Sequence, residues 1–180
     1  MGFLNKARAL LPLVILAVCL WPGAREARGG AELAASGDQL CALFVTRIVK
    51  YVSWPASIQG GSGTPVAVAA TDARAIRPHF AAVPPPPEIL LEQWPAPGCR
   101  ILLLNGTPPR EAAAIIERLK DSPVLTIGYG LEQRPSGLMV NLRESDGRLS
   151  LEINPRAALR AGITISSRLL QLARILDDAE

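Results

Sequence analysis

Few residues in this chain are equipped for chemistry, and they stand apart from one another. His79 is the only histidine. A zinc site needs several nitrogen or sulfur ligands. No second histidine and no cysteine pair at ligand spacing accompanies His79, so the sequence predicts no metal and a solvated surface imidazole. A lone histidine also excludes most Ser–His and Cys–His nucleophilic schemes. Asp72, Glu88, Glu132 and Glu152 fall in different elements rather than forming the paired carboxylates of acid–base catalysis. Glu152 is expected on the polar side of its strand, paired at the surface with Arg148 or Arg143, a contact worth about 0–1 kcal/mol. There is no Gly-rich phosphate loop of the P-loop type and no GxSxG elbow. Asn105-Gly106-Thr107 follows a strand and superficially suggests an anion site at a helix start, but Pro108 and Pro109 remove two of the donors it would use. Thr107 reads instead as a helix cap. These residues predict a non-enzyme without a cofactor.

The start of the chain carries targeting information. Lys6 and Arg8 form a basic segment, and Ala9 to Leu20 is an apolar run too short to span a bilayer comfortably, which takes about 20 residues. Small residues follow at Gly23, Ala24 and Gly29-Gly30-Ala31. This is the outline of a secretory signal over residues 1–31, cleaved after Ala24 or after Ala31. Cys19 follows Val18, where lipoprotein processing prefers a small residue. The whole chain has 19 basic and 16 acidic residues, a net charge of +3. Removing residues 1–31 takes away Lys6, Arg8, Arg25 and Arg28 against Glu26, leaving 15 of each sign. The basic balance therefore belongs to the leader, and no basic patch points to nucleic acid. The remaining residues 32–180 are expected to form a single domain. Hydrophobic residues make up 49% of the chain and aromatics only 4%, so Leu, Ile, Val and Ala must fill its core.

Periodicity supplies the elements that would carry these side chains. Within residues 32–54, Leu40, Phe44, Ile48 and Val52 recur every four residues, the apolar face of a helix started by Ser36 or Asp38 and ended by Trp54-Pro55. Gln59 to Thr64 is a Gly/Ser joint. Pro65–Thr71 reads as a strand, Asp72–Phe80 as a weak helix broken near Pro78, and Glu88–Trp94 as an outer strand. Cys99–Leu104 is a second buried strand, followed by a helix from Pro108 to Lys120 and a third buried strand at Val124–Ile127. Gly137–Leu142 and Arg148–Asn154 flank a turn at Ser145-Asp146-Gly147 and predict a β-hairpin. In the C-terminal quarter, Leu149, Leu151 and Ile153 alternate with polar residues as in a half-buried strand. Asn154 is placed to cap a short helix Pro155–Ala161, and Gly162 to end it in the left-handed region. Ile163 and Ile165 form an extended linker. Ser166 or Ser167 then caps a last helix with an apolar stripe at Leu169, Leu172, Ala173 and Leu176. The alternation predicts an α/β fold: a mainly parallel central sheet of about five to six strands, helices on both faces and a C-terminal β-hairpin at one edge. The first and last helices are expected to cover one face together.

Two stretches resemble a known family. EINPRAALRAGITISSRLLQLA, in which Glu152, Asn154, Gly162, Ser166, Ser167 and Leu169 are among the matching positions, is similar to the C-terminal signature of the YfiR-like family of periplasmic regulators. RIVKYVSWP, through Lys50, Tyr51, Val52, Trp54 and Pro55, resembles its N-terminal signature. SGLMVNLRE resembles a third segment, with Ser136 where a first glycine is usual. The resemblance implies a periplasmic protein, often dimeric, that binds the sensor region of a membrane-bound diguanylate cyclase and holds it inactive. It also bears on Cys41 and Cys99. Family members have a cysteine just before the strand that Cys99 introduces, but its usual partner lies in the first strand, where this chain has Val66-Ala67-Val68-Ala69. A Cys41–Cys99 bridge is the pairing left to an oxidising compartment.

Partner contact would fall to Tyr51 and Trp54, because aromatic residues are enriched at interface hot spots. That is the alternative to their first reading, in which both close the bottom of the core. A second reading is a periplasmic small-molecule binder. Ligands of open α/β sheets sit at strand carboxyl ends, where Thr71, Asn105, Gly128 and Tyr129 are expected.

Overall fold

Two apolar runs, Ile101–Asn105 and Leu125–Tyr129, set the centre of the fold as strands β4 and β5. Ile101, Leu103, Leu125 and Ile127 join one apolar layer, while Leu102 and Leu104 join the other. Burial on both faces is what a continuous apolar run in a parallel sheet requires. The computed structural model describes residues 36–58, 64–85, 87–145 and 148–176. The leader expected over residues 1–31 lies outside them, as does most of the Gln59–Thr64 joint.

In chain order the elements are α1 (Gly37–Ile48), a 3-10 turn (Val49–Tyr51), β1 (Val52–Ser53), a second 3-10 turn (Ala56–Ile58), β2 (Val66–Ala70), α2 (Ala73–Ala81) and β3 (Ile89–Gln93). After β4 come α3 (Pro109–Leu119) and β5, then β6 (Val140–Ser145), β7 (Arg148–Ile153), α4 (Pro155–Arg160), β8 (Thr164–Ile165), α5 (Ser167–Leu170) and β9 (Arg174–Ile175). Among the described residues the main sheet has seven strands in the order β3-β2-β4-β5-β6-β7-β9, and β1 pairs with β8 in a separate ladder. β3, β2, β4, β5 and β6 are parallel, and β7 runs antiparallel to β6. Cys41, Val45 and Ile48 of α1, Ile76 of α2 and Ala157 and Ala158 of α4 pack in one layer; Ala112, Ile115 and Ile116 of α3 pack in the other.

The mainly parallel α/β sheet with helices on both faces is as expected; several details are not. The hairpin forms, with Val140 opposite Ile153 and Ser145 opposite Arg148, but it is not the edge. β9 adds outside it, parallel to β7, with Arg174 opposite Glu152 and Ile175 opposite Ile153. The long last helix is correspondingly absent. Residues Ser167–Leu170 make one turn, and Leu172, placed in its apolar stripe by the sequence, is 80% exposed. A helix running through Leu176 could not have paired the outer backbone of β7. The extended β9 does so, and the Leu176 N–H continues to the Ile153 carbonyl at 2.7 Å.

The first helix is capped by Ser36, in a reciprocal capping box with Gln39, and stops at Ile48 rather than reaching Trp54. Its expected end is drawn off into β1, which pairs with β8: Val52 lies opposite Ile165 and Ser53 opposite Thr164. The stretch read as a linker is thus a strand. One face of the sheet is shared by α1, α2 and α4, and of the last helix only the single turn α5 joins it, through Leu169. Pro78 does not break α2. It and Arg74, whose carbonyl it leaves unbonded, are both exposed, so water can satisfy that carbonyl. Thr107 is not a helix cap, since Pro108 holds that position with Pro109 at the first helical residue. Asn154 caps α4 as predicted, its Oδ1 accepting from the Ala157 N–H at 2.9 Å, and Gly162 takes φ +73°.

The expected Cys41–Cys99 bridge is not formed. Both residues are free and buried, and they lie in the two different apolar layers on opposite faces of the sheet. A disulfide needs Cα atoms within about 7 Å. Burial, and after it the charge of Asp38, pushes the Cys41 thiol up to about 12. Alkylation without reductant is expected to leave Cys41 untouched in the native protein at pH 8 and to modify both Cys41 and Cys99 after denaturation. Mass mapping of the peptides checks this; a cross-linked Cys41–Cys99 pair would contradict it.

Candidate functional site

β2 is flanked by β3 on one side and β4 on the other, so the chain reverses its course across the sheet there. In open α/β sheets the crevice outside the strand carboxyl ends at such a reversal is where ligands bind. The ends that meet here are Thr71-Asp72 after β2, Asn105-Gly106 after β4 and Tyr129-Gly130 after β5. They face an open cleft of about 480 Å³, whose lining includes Asp38, Asp72, Asn105, Tyr129, Asn141 and Glu144.

The first two ends are tied together. The Asn105 side chain reads the backbone of Asp72 twice: Oδ1 accepts from the Asp72 N–H at 3.0 Å, and Nδ2 donates to the Asp72 carbonyl at 2.9 Å. The Asn105 N–H donates to Thr71 Oγ1 at 3.0 Å, and that hydroxyl lies 2.7 Å from Thr107 Oγ1. The Asp72 carboxylate caps α2 through the Ala75 N–H at 3.0 Å. Thr71 and Thr107 therefore serve as struts beneath the cleft, and Asn105 uses both ends of its amide to hold the crevice in shape. Gly106 and Gly130 turn the chain away with φ +62° each.

The opposite wall is built around Tyr129. Its hydroxyl donates to Glu144 Oε2 at 3.2 Å. The first turn of α1 closes over this pair, and a Cβ on Gly37 would run into both Glu144 and Tyr129, so a glycine is needed for the approach. Asp38 stands beside it and lies 3.6 Å from His79 Nε2. The histidine is thus half-buried beside a carboxylate rather than freely solvated. Asp38, Asp72 and Glu144 against Arg143 make the mouth of the cleft acidic. Burial, then the charge and hydrogen bond of Asp38, then Glu144, hold the Tyr129 phenol above its ordinary value.

Of the four residues expected at this edge, Asn105 and Tyr129 line the cleft and Thr71 braces it. Gly128 is inside the protein. A Cβ there would lie 2.6 Å from Leu131 and 2.8 Å from Leu138, so it is required for packing. Asp38, Asn141 and Glu144 escaped the sequence reading, although Asp38 was considered as a helix start. They come from α1 and β6, and no local spacing joins them to the β2, β4 and β5 ends.

A second feature lies on the β1–β8 ladder. Trp54 is buried, with Arg100 stacked over its ring at 5.9 Å. Tyr51 is 39% exposed, and its carbonyl accepts from the Ser166 N–H at 2.8 Å. The stretch RIVKYVSWP and the stretch GITISS, distant in sequence, therefore form one structural unit. A Cβ on Gly162 would come 3.1 Å from the Pro55 ring, so the two stretches also approach each other there, ring against glycine. These are the same two stretches that carry the resemblance described above. A family model described as YfiR/HmsC-like matches residues 38–174. The chain belongs to the YfiR/HmsC-like family. The match covers every strand of the main sheet but for the last residue of β9, and both partners of the β1–β8 ladder. Among curated proteins none matches the chain. The described residues contain no helix long and apolar enough to cross a membrane and no cluster of metal-ligating side chains.

The raised phenol has a consequence for stability. An unfolded tyrosine ionises near pH 10.0, whereas folded Tyr129 stays neutral beyond it. Its contribution is complete below that pH and is lost as pH rises through and above it. The urea midpoint of the protein is expected to fall between about pH 10 and pH 11, and Tyr129→Phe is expected to flatten that fall. Parallel slopes for the two proteins would refute the assignment.

Proposed function

We propose that this protein is a periplasmic regulator that acts by contact, binding the sensor region of a membrane-bound diguanylate cyclase and holding the cyclase inactive. Its release lets cytoplasmic cyclic di-GMP rise. The family match over residues 38–174 supports this reading. So does the scarcity of reactive groups, which leaves surface shape as the means of action. Such an inhibitor shifts a population: it favours the inactive cyclase only by the difference between its affinities for the two states. The protein is exported by its leader and self-associates as a homodimer.

Contact is assigned to the surface around Tyr51, with Trp54 as its support from below. Tyr51→Ala is expected to weaken binding of the purified sensor region about tenfold while leaving the thermal midpoint unchanged. Trp54→Ala is expected to cost about 3–5 kcal/mol of stability, so its effect on binding follows unfolding. Calorimetric titration and thermal melts of the two variants separate these outcomes. No binding of the sensor region by the wild type, reduced or oxidised, would overturn the proposal.

The strand-end cleft favours a second reading, a periplasmic small-molecule binder. Thermal shifts across a panel of amino acids and vitamins test it. A stabilising compound whose effect is lost in Tyr129→Phe would support it.

A further inference from the structure

The sheet face that carries α3 is apolar only over β2, β4 and β5. Beyond Gly128 it becomes charged. Asn141 of β6, Glu152 of β7 and Arg174 of β9 are cross-strand partners in one row, and Arg143 stands two residues along from Asn141 on the same face. The row borders a polar cleft of about 490 Å³ whose walls also include Arg134 and Glu132.

Glu152 was expected at the surface beside Arg148 or Arg143. Arg143 is indeed beside it, but the Glu152 side chain is only 8% exposed, and its second neighbour is Arg174. Asn141 Nδ2 donates to Oε2 at 2.8 Å. The other oxygen, Oε1, lies 3.8 Å from Arg143 and 3.6 Å from Arg174. These separations exceed hydrogen-bonding distance, so the guanidinium groups are gathered by charge rather than by hydrogen bonds. The two arginine side chains are 63% and 68% exposed. A guanidinium carries five donors in a planar fork that matches carboxylate and phosphate oxygens. One largely buried carboxylate in the cleft wall thus holds two forks at the cleft. Three arginines against Glu132 and Glu152 leave a positive excess.

We propose that this cleft binds a small oxyanion, a carboxylate or a phosphate, clamped by Arg143 and Arg174 with Arg134 at the rim. Glu152 is a positioning residue: it draws the forks together, and its own charge limits how tightly the anion is held. The bond to the anion is a charge-assisted, two-toothed contact of the strong kind. This site is separate from the strand-end cleft, although Asn141 and Arg143 border both, and it does not depend on the cyclase reading.

The test is calorimetric titration of the full chain at low ionic strength with inorganic phosphate in one arm and citrate in the other. At least one should bind. Arg143→Gln and Arg174→Gln should each weaken that anion about tenfold, and Arg174→Lys should recover only part of the loss. Glu152→Gln should tighten it, a change of opposite sign that a merely structural role does not produce. Binding in one arm alone supports the proposal and identifies the anion class. Binding of neither anion, or binding that the arginine variants and Glu152→Gln leave unchanged in melts that show a folded protein, overturns it.

Discussion

A parallel sheet gives its strands no face for water. β3, β2, β4, β5 and β6 all run the same way, and each crossover must return over a face of the sheet. That single requirement explains the arrangement of the rest. α3 covers one face, and α1, α2 and α4 share the other. The wholly apolar Ile101–Leu104 and the fully buried β5 are tolerable only because both covers are present. It also decides where polar groups can go. They collect at the carboxyl ends of the strands, and on the antiparallel extension where one face is left open.

The two polar regions are built by different physical means. At the strand ends, neutral hydrogen bonds fix loops: the Asn105 amide closes on the Asp72 backbone, and Thr71 and Thr107 lock beneath it. At the antiparallel extension, charge does the gathering, with Glu152 buried among Asn141, Arg143 and Arg174. A buried carboxylate is costly unless it is hydrogen-bonded and its charge is balanced. Both conditions are met by residues of β6 and β9 on either side of Glu152 in β7, so this patch forms only once β6, β7 and β9 are in register.

What could be read from the sequence was whatever declared itself over several residues. CRILLL and the run after Pro123 are continuous and apolar, and they became β4 and β5. Asn154 before Pro155, and Gly162 after Ala161, are local signals with local geometry, and both held. Two-residue strands carry no period. β1, β8 and β9 were therefore invisible, and with them the true fate of Trp54-Pro55, of Ile163–Ile165 and of the last helical stripe. Alternation placed Glu152 opposite the apolar residues of its strand, but it could not tell an open polar face from one closed by Asn141 and flanking arginines. Cys41 and Cys99 looked like partners by elimination; the sheet between them is a fact about the fold, which spacing does not contain. The strand-end cleft was half legible, because β-strand ends are predictable, whereas Asp38 and Glu144 arrive from elements remote in sequence.

The β1–β8 ladder joins Val52 to Ile165, almost the full span of the folded region. Contacts between such remote residues close slowly, because the entropy of the intervening loop is lost before the contact rewards it. β1 must wait for β8, 113 residues later in the chain. A chain wired in this way cannot complete its β1–β8 ladder until the sheet strands between them have been made.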